Sequence, residues 1–274
     1  MLRSMYSGIS GLRNFQTKLD VIGNNIANVN TYGFKKGRVI FKDLISQTVA
    51  GASASGDVRG GVNAKQVGLG SQIAAIDTNH SGGSTQFTGN TLDLAVAGDG
   101  YFLVKDGVDE AETFYTRAGN FYMDKDGSLV DGDGRYVMGG DGTEIITIEP
   151  EATSMSIAQD GKVTYVMPGV DDLVQAGTIA IAKFSNPGGL NKSGGNLFSM
   201  SANSGNPITG EGGTLGEPLA EGRGGIQSGF LEMSNVDLAE EFTEMIVAQR
   251  GFQANTRIIT TSDEILQELV NLKR

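Results

Sequence analysis

The sequence contains no cysteine, no tryptophan and a single histidine among its 274 residues. Without cysteine, the protein cannot form disulfides, zinc–thiolate sites or a cysteine nucleophile. A histidine-based triad or metal site would have to be built around His80, whose neighbours in residues 78–83 are typical of a loop. These absences exclude thiol chemistry and leave one unpromising position for histidine-dependent catalysis.

Two further absences concern membranes and export. No stretch approaches the ~20 consecutive apolar residues that a membrane-spanning helix requires, so we expect no membrane insertion. The first residues also lack the apolar run of ~7–15 residues and the cleavage motif that are typical of a secretory signal peptide. We therefore expect a protein that stays in the cytoplasm or leaves it by a route that uses no cleaved signal.

Other sequence motifs that indicate metal binding, nucleotide binding or catalysis are missing or incomplete. Residues 124–128 resemble the start of a calcium loop, but the glycine comes two positions early and the closing glutamate is absent, so a hairpin turn explains them better. There is no GxxxxGK[ST] loop, and no GxGxxG follows a predicted strand. Carboxylates are plentiful, but they lie in turns or on helix exteriors. We predict that the protein is not an enzyme and has no cofactor and no metal site.

The charge is negative overall and unevenly distributed. A net charge of −11 argues against nucleic-acid binding, which needs a basic face for phosphates. Residues 1–45 nevertheless contain seven basic and two acidic residues (+5), whereas residues 230–274 contain four basic and eight acidic residues (−4). Such complementarity suits pairing of the two ends or of subunits, although solvated helix faces of opposite sign would give the same pattern. Lys35, Lys36 and Arg38 form a short basic patch that we interpret as solvated or part of an interface.

Both ends show apolar residues at seven-residue intervals, which is typical of helices that pack on helices. The N-terminal helix contains Gly8, Gly11 and Gly23, each of which costs roughly 1 kcal/mol relative to alanine, so we expect it to need a partner. The C-terminal helix is predicted over about residues 236–272, capped by Ser234 or Asn235. An amphipathic helix packed on its own domain is the alternative for either end. The residues expected to contact partner helices are Met5, Leu12, Leu19, Ile22, Ile26, Leu238, Phe242, Met245, Phe252, Ile259, Leu266 and Leu269.

The middle of the chain is rich in glycine, which accounts for 41 of the 274 residues. We predict an extended connector over residues 31–75 and a β domain over residues 76–234, with an irregular Gly/Ser-rich loop at about residues 186–225. Short alternating runs separated by Asp-Gly pairs at 99–100, 126–127, 133–134, 141–142 and 160–161 predict strands and hairpins. The expected fold class is α+β, in which helices 1–30 and 235–274 form a coiled-coil-like hairpin beside an all-β domain.

Several long motifs resemble the flagellar rod and hook protein family. They lie at residues 14–34, 88–96, 100–102, 115–121, 234–238, 245–255 and 269–273, so the resemblance covers essentially the whole chain. The string at residues 20–28 and the C-terminal ending resemble hook proteins, above all the short hook proteins of Bacillus-like bacteria. The length resembles the distal rod protein equally well. We favour a hook subunit and keep a distal rod subunit as the alternative.

The resemblance implies a structural protein of the extracellular flagellum. Members of this family form helical homopolymers whose terminal helices line the inner tube and order on assembly, and the hook transmits torque to the filament. It further implies export by the flagellar type III apparatus and contacts with adjacent rod and hook–filament junction proteins, and with the hook cap during assembly. A secreted β-rich carbohydrate-binding or hydrolytic domain is the competing class. It would need an aromatic platform or a carboxylate cleft, and aromatic residues make up only 7% of this chain.

Overall fold

The computed structural model describes residues 2–56, 59–107, 112–140, 142–169, 172–208, 216–220 and 222–272. The chain forms two compact units, each assembled from segments distant in sequence. Unit 1 comprises Met1–Ala27, Gly37–Thr78 and Asp237–Arg274, and unit 2 comprises Asn28–Lys36 and Asn79–Val236.

Two long helices form the first part of unit 1. Helix α1 spans Leu2–Ala27 and helix α2 spans Leu238–Asn271. At 1.5 Å per residue, the 34 residues of α2 extend over about 51 Å. The predicted cap at Ser234 or Asn235 is wrong, because the side chain of Asp237 accepts hydrogen bonds from the first free N–H groups of the helix. Within the described residues, neither helix is long and apolar enough to cross a bilayer.

The second part of unit 1 is a long antiparallel ribbon, called the β arm, formed by the described residues of 37–78. Gly37 pairs with Thr78 at its base, Ser46 pairs with Gly68 further along, and a bridge joins Ser53 to Val62. The sequence predicted only an extended connector over residues 31–75. Its residues show little periodicity because most of them stay exposed on both faces of the ribbon. The strands are β1 (Gly37–Asp43), β2 (Ser46–Ala50), β3 (Lys65–Gly68) and β4 (Ser71–Thr78).

Unit 2 is built from short strands, as predicted. Its largest sheet has the order β17-β18-β8-β7-β11-β10-β9, with β12 beside β11 and β16 beside β7, and β13-β14-β15 form a separate sheet. Strands β19-β6 and β20-β5 form two further pairs. The strands are β5 (Thr85–Phe87), β6 (Leu94–Ala97), β7 (Tyr101–Lys105), β8 (Thr113–Thr116), β9 (Tyr122–Met123), β10 (Leu129–Val130), β11 (Tyr136–Gly139), β12 (Glu144–Ile145), β13 (Ser154–Ile157), β14 (Lys162–Val166), β15 (Leu173–Thr178), β16 (Ile181–Ala182), β17 (Asn191–Gly194), β18 (Leu197–Ser199), β19 (Gly225–Ser228) and β20 (Phe230–Glu232).

Strand β7 separates two apolar clusters of unit 2. Phe102 and Val104 belong to one cluster and Tyr101 and Leu103 to the other, because successive side chains of a strand point to opposite faces. All four are essentially buried. In the larger cluster the ring of Phe102 meets that of Phe121 edge to face, with centroids 5.1 Å apart. The run at 101–104 looks uniformly apolar in the sequence because both faces of this strand are covered.

The Asp-Gly pairs at 126–127, 133–134 and 160–161 lie in turns, as predicted, whereas the hairpin predicted at 99–100 is wrong, because β6 and β7 on either side of it do not pair with each other. Gly127 has φ +83° and its N–H donates to the carbonyl of Asp124, which confirms that residues 124–128 are a hairpin turn. Gly161 has φ +78° and closes the β13–β14 connection in the same way. Asp141 lies outside the described residues. In the part of the chain that the structure describes, no group of three His, Asp or Glu side chains could hold a metal ion.

Candidate functional site

The two helices of unit 1 pack side by side in opposite directions. Lys18 forms an ion pair with Glu244 at 3.0 Å, and closer to the end of α1 the amide of Asn25 donates to the buried Glu241 at 3.1 Å. Gly8, near the start of α1, lies beside Ile259. The basic and acidic ends of the sequence therefore meet in at least one direct ion pair within unit 1.

Glycine permits a close approach of the helices. A Cβ on Gly11 would lie 2.9 Å from the side-chain amide of Asn255, and one on Gly251 would lie 2.5 Å from the ring of Phe15. Gly8 and Gly11 are buried, whereas Gly23 has nothing within 4 Å of its Cβ position. Of the three glycines that weaken α1, Gly11 is the one at which a Cβ would crowd α2, since a Cβ on Gly8 would make an ordinary contact, 3.5 Å from Ile259.

The predicted interface residues fall into three groups by exposure. Ile22 is buried, at 3% exposure. The half-buried group comprises Met5, Leu12, Leu19, Ile26, Met245, Ile259 and Leu266, and the exposed group comprises Leu238, Phe242, Phe252 and Leu269.

Two surfaces are formed by exposed apolar residues of α2, apart from Val247, Phe252 and Ile258, which are also exposed. Leu238, Phe242 and Ile246 follow one another at four-residue intervals and are 40%, 50% and 60% exposed. The second surface lies near the end of α2. Because Gly8 faces Ile259 and the helices are antiparallel, α1 begins opposite about residue 265, so the last turns of α2 extend beyond it. Ile265, Leu269 and Leu272 are exposed there. Sequence reasoning missed Ile246, which does not belong to the seven-residue rows.

The β arm also has an exposed apolar face. Val67 pairs with Gln47, and Ile45 and Leu69 lie two residues further along on the same side of the ribbon. Ile45 is 84% exposed, and Val67 and Leu69 are more than a third exposed. An isolated two-stranded ribbon is marginally stable in water, so this face is suited to contact with another surface.

In unit 2 a buried carboxylate lies between two buried cations, and we call Glu232, Lys35 and Arg117 the Glu232 cluster. Lys35 Nζ is 2.6 Å from Glu232 Oε1, and Arg117 Nη1 is 3.1 Å from Glu232 Oε2. All three side chains are at most 3% exposed. They come from three distant parts of the sequence, so the cluster holds residues 28–36, the segment after β8 and strand β20 together.

Backbone groups complete the Glu232 cluster. Lys35 Nζ also donates to the carbonyl of Ser81, Arg117 Nη2 donates to that of Gly98, and the N–H of Gly83 donates to Glu232 Oε1. Burial alone would raise the pKa of Glu232, but Arg117 and Lys35 outweigh it, so the pKa is lowered and the carboxyl stays ionised. Burial lowers the pKa of Lys35, against the opposing effect of Glu232.

Residues 28–36 are held to the rest of unit 2 by further bonds. The N–H of Gly33 donates to the carbonyl of Glu232, Asn196 donates to that of Tyr32, and Lys192 Nζ donates to that of Lys35. Gly33 has φ +69°, and a Cβ there would lie 2.5 Å from the amide nitrogen of Ala118. The interpretation of Lys35 as part of a solvated or interface patch is therefore wrong. Only the family resemblance of residues 31–35 indicated that this segment matters.

His80 lies in the loop beside the Glu232 cluster, as its sequence context predicts. Its Nδ1 is 2.6 Å from the hydroxyl of Tyr101, and its ring packs against Phe198. Burial lowers the pKa of His80 to about 4, helped by Lys35, Lys192 and Arg117. Burial raises the pKa of Tyr101 to about 12. Both groups are therefore neutral near pH 7.

A cavity of about 260 Å³ adjoins His80 and Tyr101. Asp99 and Lys183 line it and lie 3.7 Å apart, close enough to neutralise each other. The hydroxyl of Tyr101 is hydrogen-bonded to His80, but the pKa of His80 is lowered to about 4 and that of Tyr101 is raised to about 12. His80 is therefore a weak base for a hydroxyl that loses its proton only with difficulty.

Comparison with known proteins identifies the family. Residues 5–35 match the family model of flagella basal body rod proteins, residues 95–165 match the flagellar hook protein FlgE/F/G D1 domain, and residues 227–272 match the C-terminal region of the flagellar basal body rod FlgEFG proteins. The chain is 60% identical, over the full length of both sequences, to the flagellar basal-body rod protein FlgG of Bacillus subtilis. It belongs to the flagellar rod and hook protein family. The resemblance seen in the sequence motifs is thereby confirmed.

Other relatives include both branches of the rod and hook family. In Borreliella burgdorferi the rod protein FlgG is 38% identical and the hook protein FlgE is 33% identical, and each comparison covers both chains in full. Proteins of this family are structural components of the flagellum, so the unpaired apolar surfaces of unit 1 are the candidate functional site.

Replacing Glu232 by Gln should strongly destabilise unit 2. The substitution keeps the side-chain shape but leaves Lys35 and Arg117 buried without a counter-charge, which costs about 3–5 kcal/mol. Urea unfolding followed by far-UV circular dichroism measures this loss. Asp106→Asn, which removes an ion pair of Arg135 with a 62% exposed carboxylate, is the matched control and should change the free energy of unfolding by less than about 1 kcal/mol. Equal effects of the two variants would contradict a stabilising role of the cluster.

Stability should fall in mild acid through His80. Its pKa is about 4 in the folded protein and about 6.5 in the unfolded chain, so between these values the unfolded chain binds more protons. The stability that neutral His80 contributes is fully present above about pH 6.5 and is lost as the pH falls towards 4. The free energy of unfolding should decrease by about 2 kcal/mol over this range, after allowance for solvent screening. The measurement is urea unfolding from pH 7 to 4 for the native protein and for His80→Gln, whose amide oxygen can accept from Tyr101. The variant should show the smaller decrease, and parallel curves would refute the assignment.

Proposed function

We propose that this chain is a structural subunit of the flagellar basal-body rod and that it polymerises into a helical tube through unit 1. The observation that carries the choice of rod is the 60% identity, over the whole length of both chains, to the FlgG rod protein of Bacillus subtilis. The comparisons favour this alternative over the hook subunit that the sequence motifs led us to expect. The string at residues 20–28 is nine residues long and weighs less than an identity over the whole chain.

Chain length also supports the rod. The alignment with the Borreliella burgdorferi hook protein extends over 450 positions, so that relative contains long stretches that this 274-residue chain lacks. The rod relatives align over 269 to 278 positions. In length, the chain therefore matches the rod relatives better than this hook relative.

The exposed apolar surfaces support polymerisation. The stripe Leu238–Phe242–Ile246, the last turns of α2 and the apolar face of the β arm all lack a partner within unit 1 as described. They lie at different places on unit 1, so one copy can offer one surface to a different surface of the next copy. Such a contact repeats from copy to copy, and it generates a helix when its rotation does not close a ring.

The composition of α1 supports folding on assembly. A 26-residue helix that contains three glycines is marginal alone, and burial against neighbouring copies stabilises it by mass action. Export through the flagellar type III apparatus, with adjacent axial proteins as partners, follows from family membership as part of the proposal. Close helix packing in the tube would then carry the torque of the motor.

The position of the protein within the flagellum distinguishes a rod subunit from a hook subunit. A small epitope tag inserted at the exposed Gly134 turn, which has φ +87° and nothing near its Cβ position, should not disturb unit 2. In hook–basal bodies isolated from a motile strain, immunogold label is expected on the rod, within the span of the rings. Label along the curved hook would contradict the rod assignment, and absence of label from the purified structures would contradict the axial function.

A charge within the exposed stripe of α2 should prevent assembly. Ile246→Glu keeps helix propensity and leaves the monomer intact because Ile246 is 60% exposed, but it places a carboxylate in an apolar contact between copies. We expect a more than tenfold rise in the concentration needed for polymerisation, measured by sedimentation and electron microscopy. Gln253→Glu adds the same charge one heptad further along, next to Arg250, and is the matched control. Normal tubes from Ile246→Glu would refute a role of the stripe.

A further inference from the structure

The side chain of Asn25 forms hydrogen bonds with both α2 and the β arm. Its exposure is 2%, so these bonds are shielded from water. Asn25 Nδ2 donates to the carbonyl of Gly37 at 2.9 Å, and the N–H of Gly37 donates back to Asn25 Oδ1 at 2.9 Å. Nδ2 also donates to Glu241 Oε2 on α2 at 3.1 Å. One amide therefore uses both its hydrogens and its oxygen on two separate elements.

The bonds to Gly37 show how the β arm begins. Gly37 is the first residue of β1 and pairs in register with Thr78. Its N–H and its carbonyl both bond to Asn25, however, and so point away from β4. The Asn25 amide thus takes the place of a peptide group of a third strand at the free edge of β1. Only a carboxamide can both donate and accept in this geometry.

The other end of the same ladder is also attached to α1. Asn14 Nδ2 donates to Ser71 Oγ at 2.8 Å, where Ser71 pairs with Asp43 at the end of β1. Asn14 and Asn25 are eleven residues apart, about 16 Å along a helix, and β1 is seven residues, about 20 Å, long. The β1–β4 ladder is consequently held along α1 at both ends, and the end at Asn25 is the one joined to α2.

We propose that Asn25 is a positioning residue that couples the packing of α2 on α1 to the ordering of the β arm, so that the helices and the arm fold as one cooperative element. The coupling follows from unit 1 alone. Its consequence for assembly, that the arm takes its position only when the terminal helices pair, rests on the proposed function.

Hydrogen exchange of the full-length protein, as monomer and as polymer, tests the coupling with Asn25→Ala. Alanine is the better helix former, so any loss of protection comes from the lost bonds and not from a weaker α1. We expect the β1 and β4 amides and the first turns of α2 to exchange about ten- to a hundredfold faster. The control is Gln16→Ala, at an exposed position on α1, and should change neither region.

Two further variants separate the parts of the coupling. Asn14→Ala should release the Ser71 end of the ladder and leave α2 protected. Asn25→Asp places a second carboxylate beside Glu241 and should lower the protection of both α2 and the β arm. Adding Glu241→Gln removes this repulsion and should restore the protection of α2. The β arm should stay unprotected, because the Gly37 carbonyl still has no donor.

The outcomes distinguish this inference from the proposed function. Faster exchange confined to the Gly37 amide in Asn25→Ala would refute the coupling while leaving polymerisation intact. Wild-type protein that forms no tubes would refute the proposed function, and the coupling would still be measured in the monomer. Free exchange of β1 in native monomer and polymer alike would refute the coupling, because the Asn25 bonds would then not be formed.

Discussion

The carboxylate of Glu232 lies within 3.1 Å of two buried cations, and much of unit 2 depends on this arrangement. Buried charges are tolerated when ion pairing and hydrogen bonds offset their loss of hydration. Gly83, Ser81 and Gly98 add hydrogen bonds to the two ion pairs, whereas Arg117 Nε has no acceptor among the described residues. The backbone segments around the cluster are therefore fixed in place, and they include the two that precede β1 and α2 in the sequence.

Unit 1 obeys a different constraint. Its helices approach closely at Gly11 and Gly251, while several of the larger apolar side chains of α2 remain exposed. A monomer that leaves residues such as Phe242 and Ile246 exposed gains little from its own packing. Exposed apolar surfaces of this kind are typical of interaction sites, which agrees with membership of the flagellar rod and hook protein family.

The two units also differ in how much of their structure the sequence predicts. The Asp-Gly turns and short strands of unit 2 follow from local rules, since a positive φ at Gly127 or Gly161 requires no knowledge of distant residues. The β arm was not predicted because a ribbon with few covered positions carries little of the alternation that indicates a strand. The cap of α2 was misplaced by two or three residues, within the usual ambiguity between neighbouring polar side chains.

By itself, the sequence determined the terminal helices, the β-rich middle and the family, because periodicity, turn residues and long motifs are properties of neighbouring residues. Only the tertiary structure decided which charges are buried and which apolar residues stay uncovered. Lys35 and Lys36 are adjacent and chemically identical, yet Lys35 is 1% exposed because Glu232, 197 residues away, lies against it. Asn25 likewise acquires its role from Gly37 and Glu241. Such pairings arise from the path of the whole chain, and no local pattern encodes them.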